Sequence, residues 1–200
     1  SSNIDFVLRG PSEIWGADDD TDIEYIYLWT LYHQQVAKLN PLQIREAWVR
    51  HIYNESQPTP YGKDQSGYQN FLWVSNQRAH TLMLRGYSPP ETAHPDNNPH
   101  GDMIDAQLTT EIFGLLAPGA PDVALDIAYY PIRTAGYGDA VLISEFYVVM
   151  HALAAMEPRG QMPPERLNRI STAARQYLPD GSVPAAMFDF VKQQHAAGLS

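Results

Sequence analysis

Cysteine is absent from this chain of 200 residues, and basic residues are scarce. Without cysteine the chain has no disulfides, no thiolate metal ligands and no cysteine nucleophile. Lys and Arg together number 13 against 23 Asp and Glu, so the formal net charge is −10. Nucleic-acid binders neutralise phosphates with clustered Lys and Arg. We therefore do not expect this protein to bind a nucleic-acid duplex.

Long apolar runs are also missing. No stretch approaches the ~18 consecutive apolar residues that a membrane span requires. The first residues, S-S-N-I-D-F-V, lack the basic and apolar regions of a signal peptide. A hydrophobic content of 44% with 18% charged residues is a normal globular mixture. We expect one soluble domain over residues 1–200, without membrane contact and cytoplasmic rather than secreted, and the oligomeric state stays open.

The hydrophobic residues recur with a helical period. Ile23, Tyr27 and Leu31 begin a series spaced by three and four residues. Two long, proline-broken loops, 54–68 and 88–102, interrupt the pattern, and loops of this length often border a functional site. No segment predicts a strand with confidence. The pattern predicts an all-α, compact bundle of about eight helices, at 21–40, from 41 onward, 70–84, 103–117, 122–135, 139–157, 164–177 and 183–197.

Four aspartates, Asp18, Asp19, Asp20 and Asp22, occupy five successive positions just before the first apolar series. One or two acidic residues at a helix N-terminus are favoured by the helix dipole. Four of them repel one another, and hard cations such as Mg²⁺ or Mn²⁺ relieve that repulsion because they prefer several carboxylate oxygens. The local sequence therefore leaves two interpretations open, a solvated helix start and a metal site.

Two other metal motifs compete for these aspartates. Asp18, Asp20 and Asp22 fit the start of a calcium EF-hand loop, but its glycine position holds Ile23 and its terminal glutamate position holds Trp29. The D-D-x-x-D spacing of Asp18, Asp19 and Asp22 also suits the magnesium–diphosphate site of all-α isoprenoid and terpene synthases. Their second metal motif is not found here, so this interpretation stays a weaker alternative.

A third match covers most of the chain. The segments are W-G-A-D-D-D-T-D-I-E-Y (15–25), M-I-D-A-Q-L-T-T-E-I-F-G-L-L-A-P-G-A-P-D-V-A-L-D-I-A (103–128), Y-G-D-A-V-L-I-S-E-F-Y-V-V-M-H-A-L-A (137–154) and Q-Y-L-P-D-G-S (176–182). In order and spacing they resemble the middle portion of the ADP-ribosylglycohydrolase family, which includes ADP-ribosylhydrolases and dinitrogenase-reductase-activating glycohydrolases. The resemblance runs from about Ser12 to Val191. It implies an all-α, binuclear magnesium or manganese enzyme.

The resemblance also implies roles for individual residues. Asp18, Asp19 and Asp20 would be metal ligands for two Mg²⁺ or Mn²⁺ ions, and Asp19 and Asp20 would be the catalytic residues. The remaining implied residues would bind ADP-ribose: Asp105, Gln107 and Glu111 in its cleft, and Tyr137, Gly138 and Asp139 at its adenine-ribose end.

The implied function is magnesium-dependent hydrolysis of the glycosidic bond between ADP-ribose and a modified protein side chain or a small acceptor. Two family motifs, an early G-D-A-x-G and a late D-x-D-T, have no counterpart in this sequence. We therefore keep the alternative that the chain binds ADP-ribose or a related nucleotide without cleaving it. Among the histidines, only His94 and His100 lie in a loop from which they could reach a ligand.

Overall fold

Nine helices and one short pair of strands form the described part of the chain. The computed structural model describes residues 18–52, 63–64, 67–68, 72–158, 160 and 163–198. The helices are α1 (Asp19–Gln34), α2 (Pro41–His51), α3 (Val74–Leu84), α4 (Asp105–Leu108), α5 (Ile112–Leu116), α6 (Pro121–Ala135), α7 (Asp139–Ala154), α8 (Pro164–Arg175) and α9 (Val183–Ala196), with strands β1 (Lys63–Asp64) and β2 (Gly67–Tyr68).

The prediction of an all-helical bundle is confirmed at this coarse level, with one addition. Strands β1 and β2 pair in antiparallel fashion, Lys63 opposite Tyr68 and Asp64 opposite Gly67, and the sequence did not predict them. Across the described ranges, no helix is both long enough and apolar enough to cross a membrane.

The predicted single helix over 103–117 is wrong, because the chain breaks it into α4 and α5. The two threonines at the break turn back onto the preceding turn. The Thr109 hydroxyl donates to the Asp105 carbonyl at 3.0 Å, and the Thr110 hydroxyl donates to the Ala106 carbonyl at 2.6 Å. Such side-chain bonds to the backbone compete with regular helix and favour bends.

The first two helices begin at strong caps. The Asp18 carboxylate accepts a hydrogen bond from the Thr21 N–H, and the acidic first turn of α1 suits the positive end of the helix dipole. Helix α2 starts with a capping box in which Asn40 and Gln43 bond to each other's backbone. These caps fix where the aspartate cluster enters the fold.

Helix α7 lies at the centre of the bundle and packs against α4, α5, α6, α8 and α9. On the other side, the ring of Tyr27 in α1 lies 6.4 Å from that of Trp48 and 5.5 Å from that of Phe113, all three side chains being buried. This aromatic cluster joins α1 and α2 to α5. It thereby brings the start of α1 close to the α4–α5 segment.

Candidate functional site

Asp19, the first residue of α1, is buried with 2% of its surface exposed. Its Oδ2 accepts hydrogen bonds from the Trp73 backbone N–H at 2.7 Å and from the Asn76 side-chain amide at 3.0 Å. Its Oδ1 is equally buried and has no hydrogen-bond partner among the residues that the structure describes. The carboxylate is therefore held firmly by one oxygen while the other is left unsatisfied.

Asp105, the first residue of α4, is buried as well and faces the same helix end. Its Oδ1 accepts from the backbone N–H groups of Ser75 and Asn76, both at 3.1 Å. The N-cap residue of α3, Trp73, offers no side-chain acceptor of its own. Asp19 and Asp105 thus cap α3 from distant parts of the chain, and capping alone is a sufficient structural reason for one oxygen of each.

Asp20 is half-buried beside these two carboxylates. Burial raises the pKa of Asp20 to about 6, and the negative charges of Asp19, Asp18, Asp105 and Glu24 add to the effect. Burial likewise raises the pKa of Asp22, with smaller effects from Asp18 and Asp19. Among the described residues, the charged groups that act on these two aspartates are other carboxylates. Within that part of the chain, the negative charge of Asp18, Asp19, Asp20 and Asp22 is not compensated by a basic side chain.

A second acidic pair continues the cluster along α1. The Glu24 carboxylate accepts from the Ile112 N–H at 2.8 Å. Burial raises the pKa of Glu24 despite that hydrogen bond, and the charge of Glu111 raises it further. Gln107 donates to Glu111 at 3.1 Å, and His151 Nε2 lies 3.7 Å from the other Glu111 oxygen. Gln107 and Glu111 thus meet, although across the break between α4 and α5 rather than along one helix.

A cavity of about 620 Å³ opens near the α6–α7 turn, and the predicted residues Tyr137 and Gly138 line it. His94 also lines it, with its ring 5.6 Å from that of Tyr137. On another wall the Arg133 guanidinium lies 4.0 Å from the centre of the Tyr129 ring, a cation–π distance. The cavity is therefore lined by aromatic rings, by the carboxylate of Glu91 and by a guanidinium that is itself paired with Glu145 at 2.9 Å.

The cavity and the carboxylate cluster are separate but adjacent. None of the predicted acidic residues lines the cavity, and Asp139 is exposed outside it. A Cβ on Gly136, which lines the cavity, would lie 2.7 Å from the Cβ of Ala106, the neighbour of Asp105. Helix α4 therefore packs directly against Gly136 at the edge of the cavity.

The fit of a metal ion to this cluster is partial. The unpartnered Oδ1 of Asp19 and the uncompensated charge around Asp20 both suit a cation. Within the described ranges, however, no three His, Cys, Asp or Glu side chains are arranged to hold a metal ion. A cation here would need further oxygen ligands beyond the carboxylates as they stand.

The sequence analysis did not identify four residues that shape the cluster and the cavity: Glu24, Asn76, Tyr129 and Arg133. Glu24 follows Asp20 by four positions, and Arg133 follows Tyr129 by four, so helical spacing could have found both pairs. Asn76 could not be found in this way, because its hydrogen bonds with Asp19 and Asp105 are long-range and local sequence patterns do not predict them.

Comparison with models of known protein families, with curated proteins and with solved structures found no match to this chain. The roles that the resemblance implies for the aspartates, for Gln107 and Glu111 and for the α6–α7 turn therefore stay predictions.

Proposed function

We propose that this protein is a magnesium- or manganese-dependent hydrolase that cleaves the glycosidic bond between ADP-ribose and a modified side chain or small acceptor, on an ADP-ribosylglycohydrolase-like fold. One observation carries the proposal: within the described part of the chain, the buried carboxylate of Asp19 has an oxygen without a hydrogen-bond partner, and the charges acting on its neighbour Asp20 are all carboxylates. A buried acceptor without a donor costs roughly 1–3 kcal/mol. A divalent cation removes both that cost and the mutual repulsion.

The neighbouring cavity supports the choice of ligand. Its aromatic faces, Tyr129 and Tyr137, suit a flat base such as adenine, which stacks on aromatic rings. Gly138, the N-cap residue of α7, lines the cavity, and the N–H groups of a helix start are favourable partners for a diphosphate. An acidic protein can hold an anionic ligand in this way.

The proposed reaction is hydrolysis of the glycosidic bond at the ribose. Water adds to the anomeric carbon of the ribose, the bond to the acceptor breaks, and the acceptor leaves with a proton. Asp20 would accept the proton from that water, because it is the half-buried member of the cluster and a carboxylate can act as a general base. A bound divalent cation would supply ribose-hydroxyl binding and a more acidic water.

The test is divalent-ion binding and ADP-ribose release by the variant Asp19→Asn. The asparagine keeps an oxygen for Trp73 and removes the charge, so we expect a folded protein with Mn²⁺ affinity at least tenfold lower and with ADP-ribose release from a modified peptide abolished. Asp126→Asn is the control, because Asp126 is an exposed carboxylate that pairs with Lys38. Equal Mn²⁺ affinity in wild type and Asp19→Asn would refute the metal assignment.

A second candidate is ADP-ribose binding without hydrolysis. It is favoured by the incomplete ligand set, since the described carboxylates and imidazoles form no group of three around one point. The two candidates differ in turnover. Hydrolysis predicts free ADP-ribose from a modified peptide in the presence of Mg²⁺, whereas the second candidate predicts a binding isotherm and no product.

A further inference from the structure

Two buried oxygens without partners lie on neighbouring side chains where α1 meets α3. One is Asp19 Oδ1, and the other is Oδ1 of Asn76, a side chain with no exposed surface. The side chains are joined by the 3.0 Å hydrogen bond from Asn76 Nδ2 to Asp19 Oδ2. Each of these two acceptors lacks a donor among the described residues, and a buried acceptor in that state needs an explanation such as a bound water or a cation.

The orientation of the Asn76 amide is fixed by chemistry. An ionised carboxylate only accepts hydrogen bonds, so the amide nitrogen must face Asp19 Oδ2, and a flipped amide would place two oxygens together. The Asn76 oxygen is therefore the atom left free. The Asn76 backbone N–H also binds Asp105, so this residue contacts both buried aspartates.

We propose that Asn76 belongs to the cation site, where its nitrogen fixes Asp19 so that Asp19 Oδ1 stays free, and its own oxygen joins the cation's coordination sphere. This inference rests on the proposed function, because it concerns the same cation. Amide carbonyl oxygens are accepted ligands of hard cations alongside carboxylates. The amide also supplies an oxygen that a count of carboxylates and imidazoles leaves out.

Asn98 provides a matched contrast. It is also buried, but each of its polar atoms has a partner: the nitrogen donates to the Ser75 and Thr92 carbonyls, and the oxygen accepts from the His100 N–H. Asn98 therefore has the structural role that Asn76 would have if it only held helices together. Its replacement should affect stability and leave cation binding alone.

The experiment titrates Mn²⁺ into the full chain by calorimetry, for wild type, Asn76→Ala and Asn98→Ala. Loss of a residue that orients a metal ligand typically lowers metal affinity about 10- to 100-fold, and we expect Asn76→Ala to fall in that range. Asn98→Ala should melt at a lower temperature and bind Mn²⁺ with wild-type affinity. Mn²⁺ affinity of Asn76→Ala within twofold of wild type would overturn the inference.

If the alanine variant does not fold, the variant Asn76→Asp tests whether the side chain at position 76 contacts the cation. It places a carboxylate against Asp19, so its melting temperature in EDTA should lie below that of wild type. If the oxygen at position 76 meets the cation, Mn²⁺ should raise the melting temperature more than it does in wild type. No rise with Mn²⁺ would overturn the inference. Wild type that fails to bind Mn²⁺ would instead overturn the proposed function itself.

Discussion

Each aspartate of the Asp18–Asp22 series has its own surroundings, and these decide what it can do. Asp18 is exposed and caps α1. Asp19 is buried, with one oxygen bonded to the start of α3 and the other free. Asp20 is half-buried, and burial together with four carboxylates raises its pKa to about 6. The surroundings of three adjacent carboxylates thus differ in burial and in hydrogen bonding.

At the same scale, His80 predicts a pH dependence of stability. Burial lowers the pKa of His80 to about 4, and its Nε2 has no partner. The unfolded chain, with an ordinary histidine pKa near 6.5, binds the proton first as pH falls. The contribution of His80 is therefore fully present above about pH 6.5 and is lost as pH falls toward 4, by roughly 2–3 kcal/mol.

The measurement is urea unfolding at pH 7.5 and pH 4.5, in EDTA, for wild type and His80→Leu. Asp20 acts in the opposite sense over part of this range, because its raised pKa makes stability fall as pH rises. Comparing the two proteins cancels that effect. We expect His80→Leu to lose less stability between the two pH values than wild type, and an equal loss would show that His80 is not buried in its neutral form.

Among the elements, the contact of α5 with α7 depends on Gly114. A Cβ at this position would lie 2.4 Å from the Val148 carbonyl oxygen and 2.9 Å from the Ala152 nitrogen, which are backbone atoms and cannot move aside cheaply. Helix propensity alone would make Gly→Ala stabilising by about 1 kcal/mol. We expect the reverse here, because such overpacking costs typically about 1–3 kcal/mol, occasionally more.

Urea unfolding of Gly114→Ala tests this packing. The neighbouring Leu115 is 49% exposed, so Leu115→Ala serves as a control and should change the free energy of unfolding much less. Stability of Gly114→Ala at or above the wild-type value would mean that α5 and α7 lie further apart than described.

The helix boundaries show which parts of the fold could be predicted from the sequence. Helix α1 was predictable because its apolar residues recur at helical spacing, but it ends at Gln34, where Gln35 adopts a left-handed conformation, and not at the predicted residue 40. The break between α4 and α5 was not predictable, since Thr109 and Thr110 fit a helix as well as a bend. The start of α3 is the clearest case. Its acceptors are Asp19 and Asp105, 54 residues before Trp73 and 30 after Ser75, and local patterns carry no such information.

Some features of the candidate site could be predicted from the sequence, and others depend on tertiary packing. The aspartate series, the Gln107–Glu111 pair and the turn at Tyr137 were named from the sequence, and of their contacts only the one between Gln107 and Glu111 was expected. That Asp19 alone is turned inward, that Asn76 meets it, and that α4 packs against the edge of the cavity all depend on tertiary packing. No spacing rule predicts which of several adjacent aspartates becomes buried.

For the molecule as a whole, a net charge of −10 gives bound divalent cations a general electrostatic advantage. A cation that binds only the folded state stabilises it by about 2.7 kcal/mol at one hundred times its Kd. The carboxylates around Asp19 are where the described structure concentrates that advantage.

The most direct measurement of the central claim is a calorimetric titration of ADP-ribose into the protein, first with Mg²⁺ and then with EDTA. We expect the protein to bind ADP-ribose with Mg²⁺ and to lose that binding in EDTA. We expect the Asp19→Asn variant to lose ADP-ribose binding even with Mg²⁺ present. Farnesyl diphosphate, titrated under the same conditions, should give no heat of binding. Absence of ADP-ribose binding in both buffers, or equal binding in both, would contradict the proposed cation-dependent ADP-ribose site.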